Sequence, residues 1–315
     1  MHEVADWNQT IELTPSTRPL ILAVVVTYQP VEALLSQLLL ALSPQVSGGI
    51  VINNGSALPL SDDAMSRAGF EVRHLHSNTG VATALNIGFQ WAQAQGAEFV
   101  ITFDQDSEPA SNMVGLLFDA YRNISATGQR VGAVGPQQVD ARTGMQAAFI
   151  APIGWSRRRI IPITGKSAEV DHLITSGCLV PLKTWKKVGP FLDDLFVDYV
   201  DIEWCLRMRH AGLRLFGVGG AILRHALGEE IKNWCGLEIP RHSPQRQYFM
   251  MRNCVYLQKL PYIPLRWKLF EVVQLAKRLV FFTFSGLSGF VSVRAMLHGI
   301  RDGLRGKLGP ATRHY

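Results

Sequence analysis

Three groups of polar residues in this chain could do chemistry together. The first is Asp104-Gln105-Asp106-Ser107, which follows the apolar run Glu98–Phe103. Two carboxylates one residue apart in extended chain can both turn toward one hard cation. Mg²⁺ or Mn²⁺ held in this way bridges the phosphates of a nucleotide. Solvated loops also produce Asp-x-Asp by chance, so its placement at a strand end carries the argument. The second group is Asn78-Thr79-Gly80, with Asn86 and Gly88 behind it. Glycine permits close backbone approach, and the helix that follows can turn its amino terminus to a phosphate. Ordinary capping accounts for the same residues. The third group is the segment 196–207, where Asp198, Asp201 and Glu203 fall within six residues. Asp201 stands at a helix start, where an acid also caps, and Glu203 can pair with Arg207 at i and i+4. Asp198 and Asp201 are left over, and a carboxylate near neutral pH can act as a general base on a hydroxyl.

These groups need a scaffold, and the hydrophobic pattern supplies one. Leu20–Val26 is a continuous apolar run of strand length, as expected for a strand buried on both faces of a parallel sheet. Helix Val31–Leu42 follows, then strands Gly49–Ile52 and Phe70–Leu75, helix Val81–Gln95, strand Glu98–Phe103, a helix from near Pro109, and strand Val131–Val134. Strand and helix alternate through the first 135 residues, the signature of a doubly wound α/β sheet. Such sheets carry function at the carboxyl ends of their strands. Thr27-Tyr28, Asn53-Asn54 and Asp104–Asp106 all fall there, so one site could collect them. The glycines do not form G-x-G-x-x-G and the second strand ends without an acid, which disfavours a nicotinamide dehydrogenase. Met145–Trp155 and His172–Leu182 read as irregular strands, Asp201–His210 as a helix, and Leu213–Val218 and Ala221–Leu223 as two short strands. Helices are expected at about Pro244–Leu260, Leu265–Phe284 and Phe290–Leu304.

Composition narrows the class. The chain has 315 residues, of which 47% are hydrophobic and only 18% charged, enough for a full core and too apolar for a disordered polyampholyte. Cys178, Cys205, Cys235 and Cys254 are scattered without a C-x-x-C pair, so neither a zinc site nor a disulfide framework is expected. Residues 1–19 hold Glu3, Asp6 and Glu12 and no apolar run. They read as a flexible extension without a secretory signal, and the expected location is cytoplasmic. The charge is uneven. Residues 241–315 carry a net +11 and residues 1–240 a net −5. A basic tail on an acidic body implies a localised anionic partner. The tail lacks zinc-finger or RRM signatures, so nucleic acid is not expected. Trp267, Leu269, Phe270, Val273, Leu275, Leu279 and Phe282 alternate with Arg266, Lys268, Lys277 and Arg278. That run is too interrupted to cross a bilayer, which needs about 20 mainly apolar residues, and it fits a helix in the headgroup plane of an anionic membrane. Packing on the body or on a second subunit is the alternative.

In this order, VVVTYQP, INNGS, NTGVATALNIG, ITFDQDS, TSGCLV, FVDYVDIEWCLR and LRHALGE resemble family 2 glycosyltransferases of the GT-A fold. His242-Ser243-Pro244-Gln245-Arg246-Gln247-Tyr248, with Arg252-Asn253 and the closing 299–306 segment GIRDGLRG, is similar to bacterial L-rhamnosyltransferases. The resemblance covers about residues 20 to 308. It implies a catalytic GT-A domain over 20–240, followed by the helical region over 241–315 whose composition already points to a membrane surface, and inverting transfer of L-rhamnose from dTDP-L-rhamnose to a glycolipid or polysaccharide precursor. Thr27, Tyr28, Asn53, Asn78, Gly80 and Asp104 would bind the nucleotide sugar. Arg252 and Asn253 would meet the leaving diphosphate. Asp106 and His225 would hold Mg²⁺ or Mn²⁺, and Asp201 would be the catalytic base. One departure is that the family's Asp-Asn pair after the second strand is here Asn53-Asn54, which replaces a carboxylate at the nucleobase with an amide. A UDP-hexose donor, and a non-catalytic membrane-surface protein on the same fold, are the rival readings.

Overall fold

The computed structural model describes residues 19–56, 62–152, 158–225, 231–234, 237–240, 242–284 and 287–315. Nearly all of the expected N-terminal extension, Cys235, and residues 226–230 of the LRHALGE segment lie outside them. The first half alternates as its apolar runs dictate: β1 (Ile21–Thr27), α1 (Glu32–Leu42), β2 (Gly48–Asn53), α2 (Asp62–Arg67), β3 (Phe70–His74), α3 (Val81–Ala94) and β4 (Phe99–Asp104). A two-residue strand, β5 (Glu108–Pro109), precedes α4 (Met113–Ala126), so the helix begins four residues beyond Pro109. The expected strand at Val131–Val134 is a ten-residue β6 (Val131–Asp140).

Short strands β7 (Phe149–Ala151), β8 (Arg158–Ile160), β9 (Ser167–Val170) and β10 (Leu179–Pro181) lead to α5 (Leu182–Val188), α6 (Val200–His210) and β11 (Arg214–His225). β11 replaces the two short strands expected there. The ladder continues through Gly219-Gly220, which form a bulge where the register shifts between Val218 and Ile222. Strands β12 (Ile231–Trp234) and β13 (Leu237–Pro240) pair with each other, and α7 (Pro244–Leu257), α8 (Leu265–Thr283) and α9 (Leu287–Arg305) close the chain.

The main sheet runs β3-β2-β1-β4-β10-β6-β11-β5, with β9 also on β11. β1 to β4 are parallel, as expected. β10 runs antiparallel between β4 and β6, so the sheet is mixed rather than wholly parallel. Side chains alternate faces along a strand. Ile21, Ala23 and Val25 of β1 therefore pack with α1 and α4, while Leu22 and Val24 pack with α3 and α6. Both faces are covered, which is why β1 reads as an unbroken apolar run.

The C-terminal helices are built into this body. Cys254, Leu257, Ile263 and Trp267 share the core that holds α3 and α6. α7 opens on Ser243, whose Oγ accepts the Arg246 amide at 3.3 Å, with Pro244 in the first turn. α9 lies directly on the α7 backbone. A Cβ on Gly299 would stand 2.4 Å from the Tyr248 carbonyl oxygen, and one on Gly303 2.5 Å from that of Arg252. Only glycine allows this approach. Among the described residues no helix is long and apolar enough to cross a membrane.

Candidate functional site

Register brings the polar strand ends to one level. Thr27 lies opposite Asn53, Asn53 opposite His74, and Val26 opposite Asp104. Thr27 is buried, with its hydroxyl on the Ile52 carbonyl at 3.4 Å. Tyr28 is exposed at the strand tip, and its amide donates to Gln105 Oε1 at 2.7 Å, joining the β1 and β4 ends. Asn53 is buried, and both ends of its amide hold the turn after β2: Oδ1 accepts the Ser56 amide at 3.1 Å and Nδ2 meets His74 Nδ1 at 3.1 Å. Asn54 Oδ1 accepts from the amide and hydroxyl of Thr79, and Asn78 Oδ1 accepts from Asn54 Nδ2 and the Gly80 amide. Asn78 therefore laces two rim loops together rather than facing open space.

Gly80 has φ +87°, and a Cβ there would stand 2.6 Å from the Phe196 carbonyl oxygen. That carbonyl accepts the Val81 amide at 2.7 Å. The start of α3, expected to face a phosphate, is thus turned to the segment that carries the acids.

The Asp-x-Asp turn is tied to the loop before β10. The Asp104 amide donates to Ser176 Oγ at 3.3 Å, and Ser176 Oγ lies 2.6 Å from Ser107 Oγ. Burial raises the Asp104 carboxyl above its ordinary value. His225 pulls it down, Asp106 pushes it up, and the charge of Arg246 also lowers it. His225 ends β11 and places Nδ1 3.4 Å from Asp106 Oδ1, and that nitrogen is buried without a hydrogen bond. The two residues expected to share a metal are thus brought together. Among the described residues no group of three or more His, Cys, Asp or Glu could hold a metal ion by itself. One carboxylate and one imidazole with an orphan nitrogen fit a divalent ion that completes its shell with phosphate oxygens and water, as hard cations do.

Three of the four non-glycine residues with positive φ among the described residues fall in the segment before α6. Phe196, Asp198 and Tyr199 all have φ near +60°, where side chains of this size are rarely found. What holds them is dense. The Tyr199 hydroxyl donates to Glu271 at 2.9 Å, and Arg246 Nε donates to Asp198 Oδ1 at 3.1 Å. α6 itself is anchored by Trp204, whose ring packs on Phe89 and Phe191 and whose Nε1 donates to the Gly189 carbonyl.

The three acids of the segment then part company. Glu203 is fully buried and doubly bonded by Arg207 at 2.8 Å, the i, i+4 pair expected from sequence, with Tyr262 donating as well. Asp198 is bonded by Arg246, while its Oδ2 is buried without a partner. Asp201 accepts the Ile202 amide at 2.8 Å, while Arg207 is engaged on Glu203 and Arg246 on Asp198. Burial pushes the Asp201 carboxyl up to about 6. The Ile202 amide lowers it, and the charges of Asp198 and Asp104 raise it further. A carboxyl poised near 6 suits a general base.

Arg252 and Asn253 correct the expectation made for them. Both are fully buried. Arg252 donates to the carbonyls of Asp194, Leu195 and Gly309 and stacks over Phe249, its guanidinium carbon 4.8 Å from the ring centre. Asn253 Nδ2 donates to the carbonyls of Leu195, Val197 and Asp198. Their donors are spent on the backbone before Asp201 and at Gly309 rather than on a diphosphate, because α9 and the chain end bury this face of α7. The cation that sequence reasoning passed over is Arg246. It is half-exposed, bonds Asp198, and is felt at Asp104. It lies in the same quoted motif as Arg252, and its place one turn into a capped helix was the available signal.

The family model for glycosyl transferase family 2 matches residues 23–170. The chain is 31% identical over 255 residues to the dTDP-rhamnosyl transferase RfbF of Shigella flexneri, covering 80% of this chain and 84% of that one. Among solved structures it is similar to GalNAc-T7 with UDP, GalNAc and Mn²⁺ (TM-score 0.53, 15% identity, 79% of this chain and 53% of that one). It is also similar to Staphylococcus aureus TarS (TM-score 0.52, 17% identity, 86% and 45%). The chain spans about half the length of those two structures, and at such identities they speak for the fold alone. With the relative's match running through both the Asp-x-Asp turn and most of the remaining chain, this chain belongs to the family 2 glycosyltransferases.

Proposed function

We propose that this glycosyltransferase transfers L-rhamnose from dTDP-L-rhamnose, with inversion, to a sugar of a glycolipid or polysaccharide precursor. The observation that carries the reaction type is Asp201, raised to about 6 and close enough to Asp104 for that carboxylate's charge to contribute. The relative of known donor supports the choice of sugar nucleotide. In the proposed reaction Asp201 takes the proton of an acceptor hydroxyl. The hydroxyl oxygen bonds to the anomeric carbon from the face opposite the diphosphate. The carbon–oxygen bond to phosphate breaks, and its electron pair leaves with dTDP. Asp106 and His225 would hold a divalent ion, which when bound supplies positive charge beside the leaving group. Arg246 adds a fixed cation there. Asp104 and Tyr28 would bind the nucleotide, with Thr27, Asn53, Asn78 and Gly80 shaping the rim.

The exposed helix face supports a membrane location. Leu265, Leu269, Val272, Val273 and Val280 of α8 are exposed and recur at helical spacing, with Phe290, Leu297 and Leu304 exposed on α9. Lys277 and Arg294 lie among them. An exposed apolar stripe on an otherwise basic region fits an anionic membrane surface, the inner face of a cell membrane being where a lipid-linked acceptor is met. Trp267, Phe281 and Phe282 are buried inward, so the lipid-facing stripe differs from the one expected from sequence.

The test is to incubate purified protein with dTDP-L-rhamnose, Mg²⁺ or Mn²⁺ and a set of lipid and saccharide acceptors, and to identify the product by mass. UDP-glucose and UDP-N-acetylglucosamine serve as competing donors. Turnover with a UDP-hexose and none with dTDP-L-rhamnose would replace the donor.

A further inference from the structure

Across β4 from the nucleotide side lies a second concavity. Thr27, Asn53 and His74 end the strands on one side of β4, and β6 lies two strands away on the other. The end of β6, the start of β7 and the 172–174 segment enclose an open cavity of ≈ 100 Å³. On the scale where one water needs about 10–15 Å³, it has room for a face of a sugar ring. Its walls are mostly apolar and include Pro136, Phe149, Ile150, Leu173 and Ile174.

One polar residue in the wall is unusual. Gln138 is buried, its Nε2 donates to the Ser176 carbonyl at 3.1 Å, and its Oε1 has no partner. The Nε2 bond fixes which end of the amide is the orphan. An unpaired buried acceptor is costly, by about 1–3 kcal/mol, so a ligand that brings a donor is favoured there.

The cavity adjoins both halves of the catalytic rim. Ser176, which Gln138 bonds, also receives the Asp104 amide on its hydroxyl. Leu173 and Ile174 line this cavity and also the small one that Asp201 lines. A ring in the cavity would therefore lie beside the base and across from the nucleotide.

We propose that this cavity is the acceptor-sugar subsite. Gln138 would select a pyranose that presents a hydroxyl or amide N–H beside a methyl-bearing, apolar edge. The inference rests on the transfer reaction proposed above. Two sugar types meet the requirement: a 6-deoxyhexose, whose methyl is on the ring, and a 2-acetamido sugar, whose methyl is on the amide.

The experiment is saturation-transfer NMR on the dTDP-bound protein with L-rhamnose, N-acetyl-D-glucosamine and D-xylose, the last having neither methyl. Saturation should reach L-rhamnose or N-acetyl-D-glucosamine at least fivefold more strongly than D-xylose, and the stronger of the two names the acceptor type. Gln138→Leu should lower that signal at least fivefold, and so should Ala148→Trp, which fills the cavity from its half-exposed wall. Both variants should bind dTDP within twofold of wild type by calorimetry. Equal saturation of all three sugars, none at all, or signals retained in a folded Ala148→Trp protein would overturn the proposal. Wild-type protein that does not bind dTDP would instead overturn the donor reading.

Discussion

At the scale of single residues, Asp201 shows what the fold gives up for chemistry. Its carboxyl stands at about 6 because burial and the nearby Asp198 and Asp104 oppose its charge. A base acts only when deprotonated, so wild-type kcat should rise with pH through about 6 and level off above 7. A rate that is flat from pH 5 to 7 would assign the base elsewhere. Asp201→Asn keeps the bond from the Ile202 amide but cannot take a proton, and turnover should fall by about 10²–10⁴ with dTDP affinity kept. The same group predicts a gain in stability. The folded carboxyl binds its proton more tightly than the unfolded one, whose ordinary value is 3.8. Its contribution to stability therefore declines as pH rises from about 4 to 6, and the deficit persists at neutral pH. Asp201→Asn should thus be more stable than wild type at pH 7.5, by roughly 1–3 kcal/mol, and no different near pH 3.5. Urea titrations at the two pH values read the difference.

At the scale of elements, the segment from Asp194 to Tyr199 is where helices far apart in sequence meet. Its carbonyls receive Arg252 and Asn253 from α7 and the Val81 amide from α3, while Glu271 of α8 takes the Tyr199 hydroxyl. Asn253→Ala would take a donor from the carbonyls of Val197 and Asp198, leave that of Leu195 to Arg252, and relax the left-handed residues. Stability should fall by about 1–3 kcal/mol, and kcat by at least tenfold, with dTDP affinity within twofold by calorimetry. A kcat loss matched by an equal loss of dTDP binding would mean general unfolding instead. Gly303→Ala should act more bluntly, by pushing α9 off the Arg252 carbonyl. These elements also mark what sequence could tell. β1 and β4 were legible because a strand covered on both faces must be continuously apolar, and Asp104 and Asp106 because they follow such a strand. Arg252 and Asn253 misled because a polar residue type suggests chemistry, whereas its burial is decided by α9, some 50 residues later. The Gly219-Gly220 pair read as a break because a bulge and a turn call for the same residues, and only the ladder to β6 distinguishes them. Gln138 left no trace in the pattern, since its partner Ser176 comes from a loop 38 residues away.

At the scale of the whole molecule, the excess of basic residues and the longest exposed apolar stripe both belong to the C-terminal helices. The first 240 residues carry a net −5 and the last 75 a net +11. On the membrane proposed above, an anionic surface would repel the one and attract the other, which would turn the C-terminal helices toward it. Each well-placed Lys or Arg adds on the order of 1 kcal/mol to such an attraction, and the α8 stripe adds burial of apolar area. The stripe does not serve the core: its outward residues are exposed, while Trp267, Phe281 and Phe282 pack inward from the same helix. Val273 and Lys277 lie one turn apart on the outer side, and both are exposed. Val273→Asp with Lys277→Glu should therefore spare the fold and the dTDP site. Arg278 is unsuited to this test, because it reaches Met250 and the Asp198 region from the half-buried side. Flotation with vesicles containing phosphatidylglycerol should recover wild type at low salt and less of it at high salt. The double variant should be recovered at least tenfold less. Folded wild type that stays off these vesicles at low salt would make the stripe a protein–protein face, and the oligomeric state in solution would then change with Val273→Asp.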